Sequence, residues 1–168
     1  MLRRCSRTLL TALLTVLVVL TSPPPAPATA SPAGGEDLLL APTLEQRVIR
    51  LVNRHRADAG CGPVRLHRKL RRAARGHSVS MATAGTMAHY LPGEPTLGQR
   101  AAAAGYDDWR RLAENIATGY PTPGAVMRAW MDSPSHRANI LDCGLREIGV
   151  GVVRHGPRLW WTQDFGRR

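Results

Sequence analysis

The hydrophobic period of this chain changes near its end, and that change restricts the folds open to it. Ile148, Val150 and Val152 alternate with Gly149, Gly151 and Val153, His155-Gly156-Pro157 turns the chain, and Leu159, Trp161, Gln163 and Phe165 alternate again. Period two on both sides of a turn predicts an antiparallel hairpin. Almost everything before it reads at helical spacing. Thr43 with Gln46 forms a capping-box pattern opening a helix of Leu44, Val48, Leu51, Val52 and His55 that ends at Gly60. Leu66, Leu70, Ala73, Ala74, His77 and Met81 make the stripe of a second helix, and Pro95 to Ala104 reads as a third. Thr122 and Pro123 are N-cap and first residue of a fourth helix with Val126 and Trp130 inward, and Ser133-Pro134 repeats that signal for a short fifth ending at Leu141. Leu112 to Thr118 is a strand or a buried extended segment. Helices first and strands last, without a βαβ rhythm, predict an α+β fold in which helices cover a small antiparallel sheet.

The chain has 168 residues, room for one ordinary domain. Arg3, Arg4 and Arg7 precede an apolar run from Leu9 to Leu20, then a Pro-rich break and Ala28-Thr29-Ala30, a small-x-small cleavage site. That order is a secretory signal peptide, and the run is too short to span a bilayer. The expected organisation is a signal peptide at 1–30, a flexible lead-in at 31–42 and a folded domain at 43–168. The product is then secreted and extracellular, with no transmembrane anchor after cleavage.

Losing three arginines and no acid lowers the formal net charge from +11 to +8, and Lys69 is the only lysine. Such a protein is retained by acidic envelope polymers or anionic lipid; an Arg-rich, Ala-rich composition is equally what a GC-rich genome produces. Arg68, Lys69, Arg71, Arg72 and Arg75 fall on the outer side of the second helix, a solvated basic face. No aromatic-interleaved basic stretch supports nucleic acid binding. Cleavage also removes Cys5, leaving Cys61 and Cys143 with one pairing open to them in an oxidising compartment.

Three polar residues stand out as candidate chemistry: His89 in a loop, Glu114 within Ala113-Glu114-Asn115-Ile116, and His136 at the third position of the Ser133-Pro134 helix. A helix start disfavours imidazolium, and neutral imidazole is the form that binds metal or accepts a proton. Each of the three could equally be a satisfied structural residue. His77, on the apolar stripe, reads as buried and hydrogen-bonded, and Asn115 and Asn139 as scaffold. His55, His67 and His155 read as surface or packing residues, and Trp130, Trp160, Trp161 and Phe165 as core and sheet cover.

Several separate segments, in order, resemble one family. They are Ala74-Arg75-Gly76-His77-Ser78 through Met81, His89, Ala113 to Ala117, Ala129 to Leu141, Ile148-Gly149-Val150-Gly151 and Trp161 to Gly166. Together they are similar to the bacterial branch of the CAP superfamily: cysteine-rich secretory proteins, antigen 5 and pathogenesis-related 1 proteins. The resemblance implies an α-β-α sandwich, with a three-stranded antiparallel sheet between helical layers and an open cleft. It also implies that His89, His136 and Glu114 line that cleft and hold a divalent metal, zinc or another, as a weak or optional cofactor. Many members have a second Glu three residues after the Trp; here Ser133 stands there, preceded by Asp132, which reduces the ligand set.

Three functions follow. The first is a monomeric, non-catalytic binding module with a groove for lipid or cell-envelope ligand. The second is a metal-assisted hydrolase, protease or esterase, using His89, Glu114 and His136 as catalytic candidates; Ser133 and Ser135 lack a nucleophile-elbow setting. The third is an adhesion or structural protein of the cell wall.

Overall fold

A computed structural model describes residues 34–168, with side chains from Thr43 onward. The expected signal peptide lies outside the described residues. Among those described, no helix is long and apolar enough to cross a membrane.

The order is α1 (Gly34–Asp58), β1 (Arg65–Leu66), α2 (Arg68–Ala84), α3 (Leu97–Ala103), β2 (Arg111–Thr118), α4 (Pro123–Asp132), α5 (Pro134–Leu141), β3 (Glu147–His155) and β4 (Arg158–Arg167). Two boundaries differ from expectation. Helix α1 takes in residues 34–42, so Thr43 lies inside it and is not its cap; Leu38 to Ala41 are strong helix formers. Leu66 belongs to β1 and is 43% exposed. The starts of α3 and α4 are chemically fixed: Thr96 and Gln99 form a capping box, and the Thr122 hydroxyl accepts from the Ala125 N–H with Pro123 in the first turn.

The sheet has four strands in the order β1-β3-β4-β2. Strands β2, β4 and β3 are antiparallel, while β1 pairs parallel with β3. The sheet is therefore mixed, not the three-stranded antiparallel one expected. Strand β1 is two residues long, held by Arg65 N–H to Arg146 O at 2.9 Å and His67 N–H to Ile148 O at 2.8 Å, and two residues show no alternation to read.

The two faces of the sheet differ because period two sends alternate residues opposite ways. Ile148, Val150, Val152, Trp161 and Phe165 join Val48 and Val52 of α1, Val126, Met127 and Trp130 of α4 and Ile140 of α5 in one apolar core. The other face presents Gly149, Gly151, Thr162, Asp164 and Glu114 to α2. A Cβ at Gly149 would fall 2.1 Å from the Arg71 backbone nitrogen, and one at Gly151 2.4 Å from the Ala74 carbonyl. The glycines thus let α2 lie directly on the strands. The Ser78 hydroxyl meets the Thr162 hydroxyl at 2.8 Å in that contact. Helices on both faces make the α-β-α sandwich.

Cys61 and Cys143 form the expected disulfide across 82 residues, a closure worth on the order of 4 kcal/mol. Beside it Arg56 is fully buried. Its guanidinium donates to the carbonyls of Gly62, Ile140, Asp142 and Leu145 at 2.8–2.9 Å. One cation thereby satisfies the turn after α1 and the irregular chain after α5.

Candidate functional site

Glu114 is the hub of the polar face. It sits on β2, opposite Asp164 of β4 in the ladder, and is 8% exposed. One carboxylate oxygen accepts from His89 Nδ1 at 2.7 Å, and the other pairs with Arg100 of α3. His77, buried on α2, approaches that second oxygen through Nε2 at 3.9 Å and bonds Glu94 through Nδ1 at 2.9 Å. Arg100 also donates to the Pro95 carbonyl at 3.0 Å, which ties the loop between α2 and α3 to the same carboxylate.

His136 approaches from the other helical layer. Asn115 Nδ2 donates to the His136 carbonyl at 3.2 Å and to Gln163 Oε1 at 3.0 Å. Asn139 Nδ2 donates to the Glu114 carbonyl at 3.2 Å and to Asn115 Oδ1 at 2.9 Å, and Trp130 Nε1 donates to the Ile116 carbonyl at 3.1 Å. These bonds fasten α4 and α5 along β2, the last strand in the sheet order, and occupy carbonyls that an edge strand otherwise exposes. His89 and His136 are thus brought from opposite layers to one edge. Next to them a groove of about 270 Å³ is lined by Met87, Ile116, Tyr120, Trp130, Ser133 and His136, among others.

The electrostatics follow from burial and partners. Burial alone would raise the Glu114 carboxyl, but the His89 hydrogen bond and the Arg100, His77 and His89 charges outweigh it and hold it below its ordinary value. Asp164 goes the other way: full burial, then the adjacent Glu114 charge, push it well above its ordinary value. The side-chain contact with Glu114 also favours the neutral form of Asp164. His136 is lowered by burial and then by the His89 charge, so neutral imidazole is favoured there.

Ionised Glu114 can only accept, so His89 Nδ1 donates, and in the neutral ring the lone pair lies on Nε2. His89 is 47% exposed at its side chain, and that nitrogen and the His136 ring are the donors on offer to a cation. Among the described residues no three His, Cys, Asp or Glu side chains converge as a metal-ligand group. Only the two imidazoles are left to a divalent ion, because Glu114 is already engaged on both oxygens.

All three candidate residues thus meet in one region, and His77, Asn115 and Asn139 have the buried or scaffold places expected of them. Glu94, Arg100 and Asp164 were not anticipated. Asp164 had a signal: it is the one carboxylate in β4, a strand otherwise uncharged between its terminal arginines. Arg100 and Glu94 had none, since both act through loop packing across more than ten residues.

The family model for the cysteine-rich secretory protein family, CAP, matches residues 49–165. The protein YkwD of Bacillus subtilis (strain 168) is 36% identical over 123 residues, 72% of this chain and 46% of that protein. The chain therefore spans less than half the length of that relative. An extracellular protein containing a SCP domain from Bacillus anthracis superposes with a TM-score of 0.76 at 24% identity, covering 83% of this chain and 45% of that one. An outer surface protein from Borrelia burgdorferi gives 0.66 at 21% identity, covering 80% and 94%. The matched span holds the hairpin, the two histidines and Glu114, and on that evidence the chain belongs to the cysteine-rich secretory protein (CAP) family.

Proposed function

We propose that this chain is an exported, monomeric binding module whose groove takes a lipid or envelope ligand with an apolar portion, with divalent metal as an optional occupant at His89 and His136. The observation that carries the reading is the wall of the groove, where Met87, Ile116, Tyr120 and Trp130 offer apolar and aromatic surface beside the single imidazole of His136. Mostly apolar concavities with few polar groups are what small-molecule sites look like. Export is supported by the leader at 1–30, by the disulfide and by structural relatives described as extracellular or outer-surface.

A bound zinc would supply a Lewis acid, held by His89 and His136 with Glu114 orienting His89 from behind. Hydrolysis has less support. Glu114 is committed to His89 and Arg100, the Ser133 hydroxyl pairs with Ser135 at 3.4 Å, and no hydrogen bond joins either serine to His136 among the described residues.

Calorimetry on the oxidised protein tests this with two probes, zinc and a long-chain fatty acid. Fatty-acid binding should be saturable, lost in Ala129→Trp, which fills the groove, and kept in His89→Ala, which lies outside the groove wall; zinc binding should be kept in Ala129→Trp and lost in His89→Ala. Fatty-acid heats identical in wild type and Ala129→Trp would refute the groove. Turnover of casein or a nitrophenyl ester that His136→Ala abolishes would establish the hydrolase in its place.

A further inference from the structure

A cleft of about 580 Å³ lies where β1 meets β3 and shares no residue with the His136 groove. Arg65, Arg146, Arg167 and Arg168 line it with Gly62 and one carboxylate, Glu147. That carboxylate is already engaged, accepting from the Tyr106 hydroxyl at 2.6 Å and from Arg168 Nη2 at 3.1 Å. Burial would raise Glu147, yet those two bonds outweigh it and keep it ionised below its ordinary range. Arg65, Arg146 and Arg167 make no ion pair among the described residues.

The backbone under these arginines is fixed. Arg65 N–H donates to Arg146 O at 2.9 Å, Arg146 N–H to Gly166 O at 3.0 Å, and Arg110 N–H to Arg167 O at 2.8 Å. Gly62 leaves room for the Arg146 guanidinium, since a Cβ there would lie 3.3 Å from its Nη1. The Arg146 charge also bears on buried Arg56 behind it. Several like charges held on one rigid wall repel each other, and a multivalent anion lying across them removes that repulsion. Guanidinium forks match phosphate oxygens in geometry as well as charge.

We propose that this cleft is a second binding site, in which Arg65, Arg146 and Arg167 engage successive phosphate groups of a phosphodiester polymer of the cell envelope. The choice of an envelope polymer rests on export of the chain; the phosphate chemistry does not depend on the His136 groove.

The test is binding of inorganic tripolyphosphate and of poly(glycerol phosphate) at physiological salt, by calorimetry on the oxidised protein. Arg146→Ala/Arg167→Ala should weaken both by about tenfold or more. Arg68→Ala/Arg72→Ala, with the same charge change on exposed positions of α2, should weaken them less than about twofold. Ala129→Trp should leave both unchanged, so a failed groove and a failed phosphate site are told apart. Thermal melts confirm that each variant is folded. Equal losses in the two arginine pairs would overturn the site in favour of diffuse charge. Binding of tripolyphosphate without the polymer, or tighter binding of single-stranded DNA than of the polymer, would overturn the assignment to an envelope phosphodiester.

Discussion

The two faces of the sheet are built on opposite principles. The face toward α1, α4 and α5 is a mainly apolar core in which Arg56 binds backbone carbonyls and Asn115 and Gln163 bond each other. The face toward α2 replaces bulk with glycine and carries Glu114, Asp164, His77 and Thr162 in its interior. Burying that many polar groups costs stability unless each is paired or neutral. The α2 face meets the condition through Arg100, His89 and a protonated Asp164, and so delivers an oriented imidazole to the cleft. Apolar bulk is thus concentrated on one face and buried carboxylates on the other.

That division breaks most severely at Arg56. Arg56→Ala removes a donor from four carbonyls, two of them in buried bonds, and opens a void, an expected loss of about 4 kcal/mol in urea denaturation, with little change in the His89 environment. On the polar face Gly149→Ala should lose about 3 kcal/mol, because the new methyl meets backbone that cannot rotate away. Unlike Arg56→Ala, it should also displace α2 and disturb the His77 and His89 resonances.

A subtler contrast comes from Asp164. Its raised carboxyl keeps a proton that the unfolded chain releases, so its contribution to stability is full below the ordinary aspartate value of about 4 and is lost as pH rises through its folded value. Asp164→Asn should therefore gain on wild type as pH rises above about 4, in denaturation midpoints measured across pH. Glu114 works in the opposite sense, supporting the fold above its ordinary value and losing that support as pH falls through its lowered one. The smallest effect is expected at Asn139→Ala, about 1 kcal/mol, with faster amide exchange confined to α5 and the β2 edge.

The sequence made the apolar face far more legible than the polar one. Helical spacing of Val48 and Val52, the Thr122-Pro123 start and the Ile148 to Phe165 alternation are repeated local signals, and they place most of that core. Strand β1 escaped because two residues carry no period, and the start of α1 because Thr43 with Gln46 reads as a capping box. The sequence singles out His89, Glu114 and His136 as candidates, but not the residues that surround them. Arg100 and Glu94 reach the site through loop packing, and Arg56 looks like any exposed arginine at the end of an amphipathic helix.

The central claim is that ionised Glu114 fixes the tautomer of His89, with the proton of the neutral ring on Nδ1 and the lone pair on Nε2. Nitrogen-detected NMR of the neutral histidine rings reads this directly. The account predicts a protonated Nδ1 and a bare Nε2 on His89, a preference lost in Glu114→Ala. A His89 protonated on Nε2, or one whose tautomer is the same in wild type and Glu114→Ala, would contradict it.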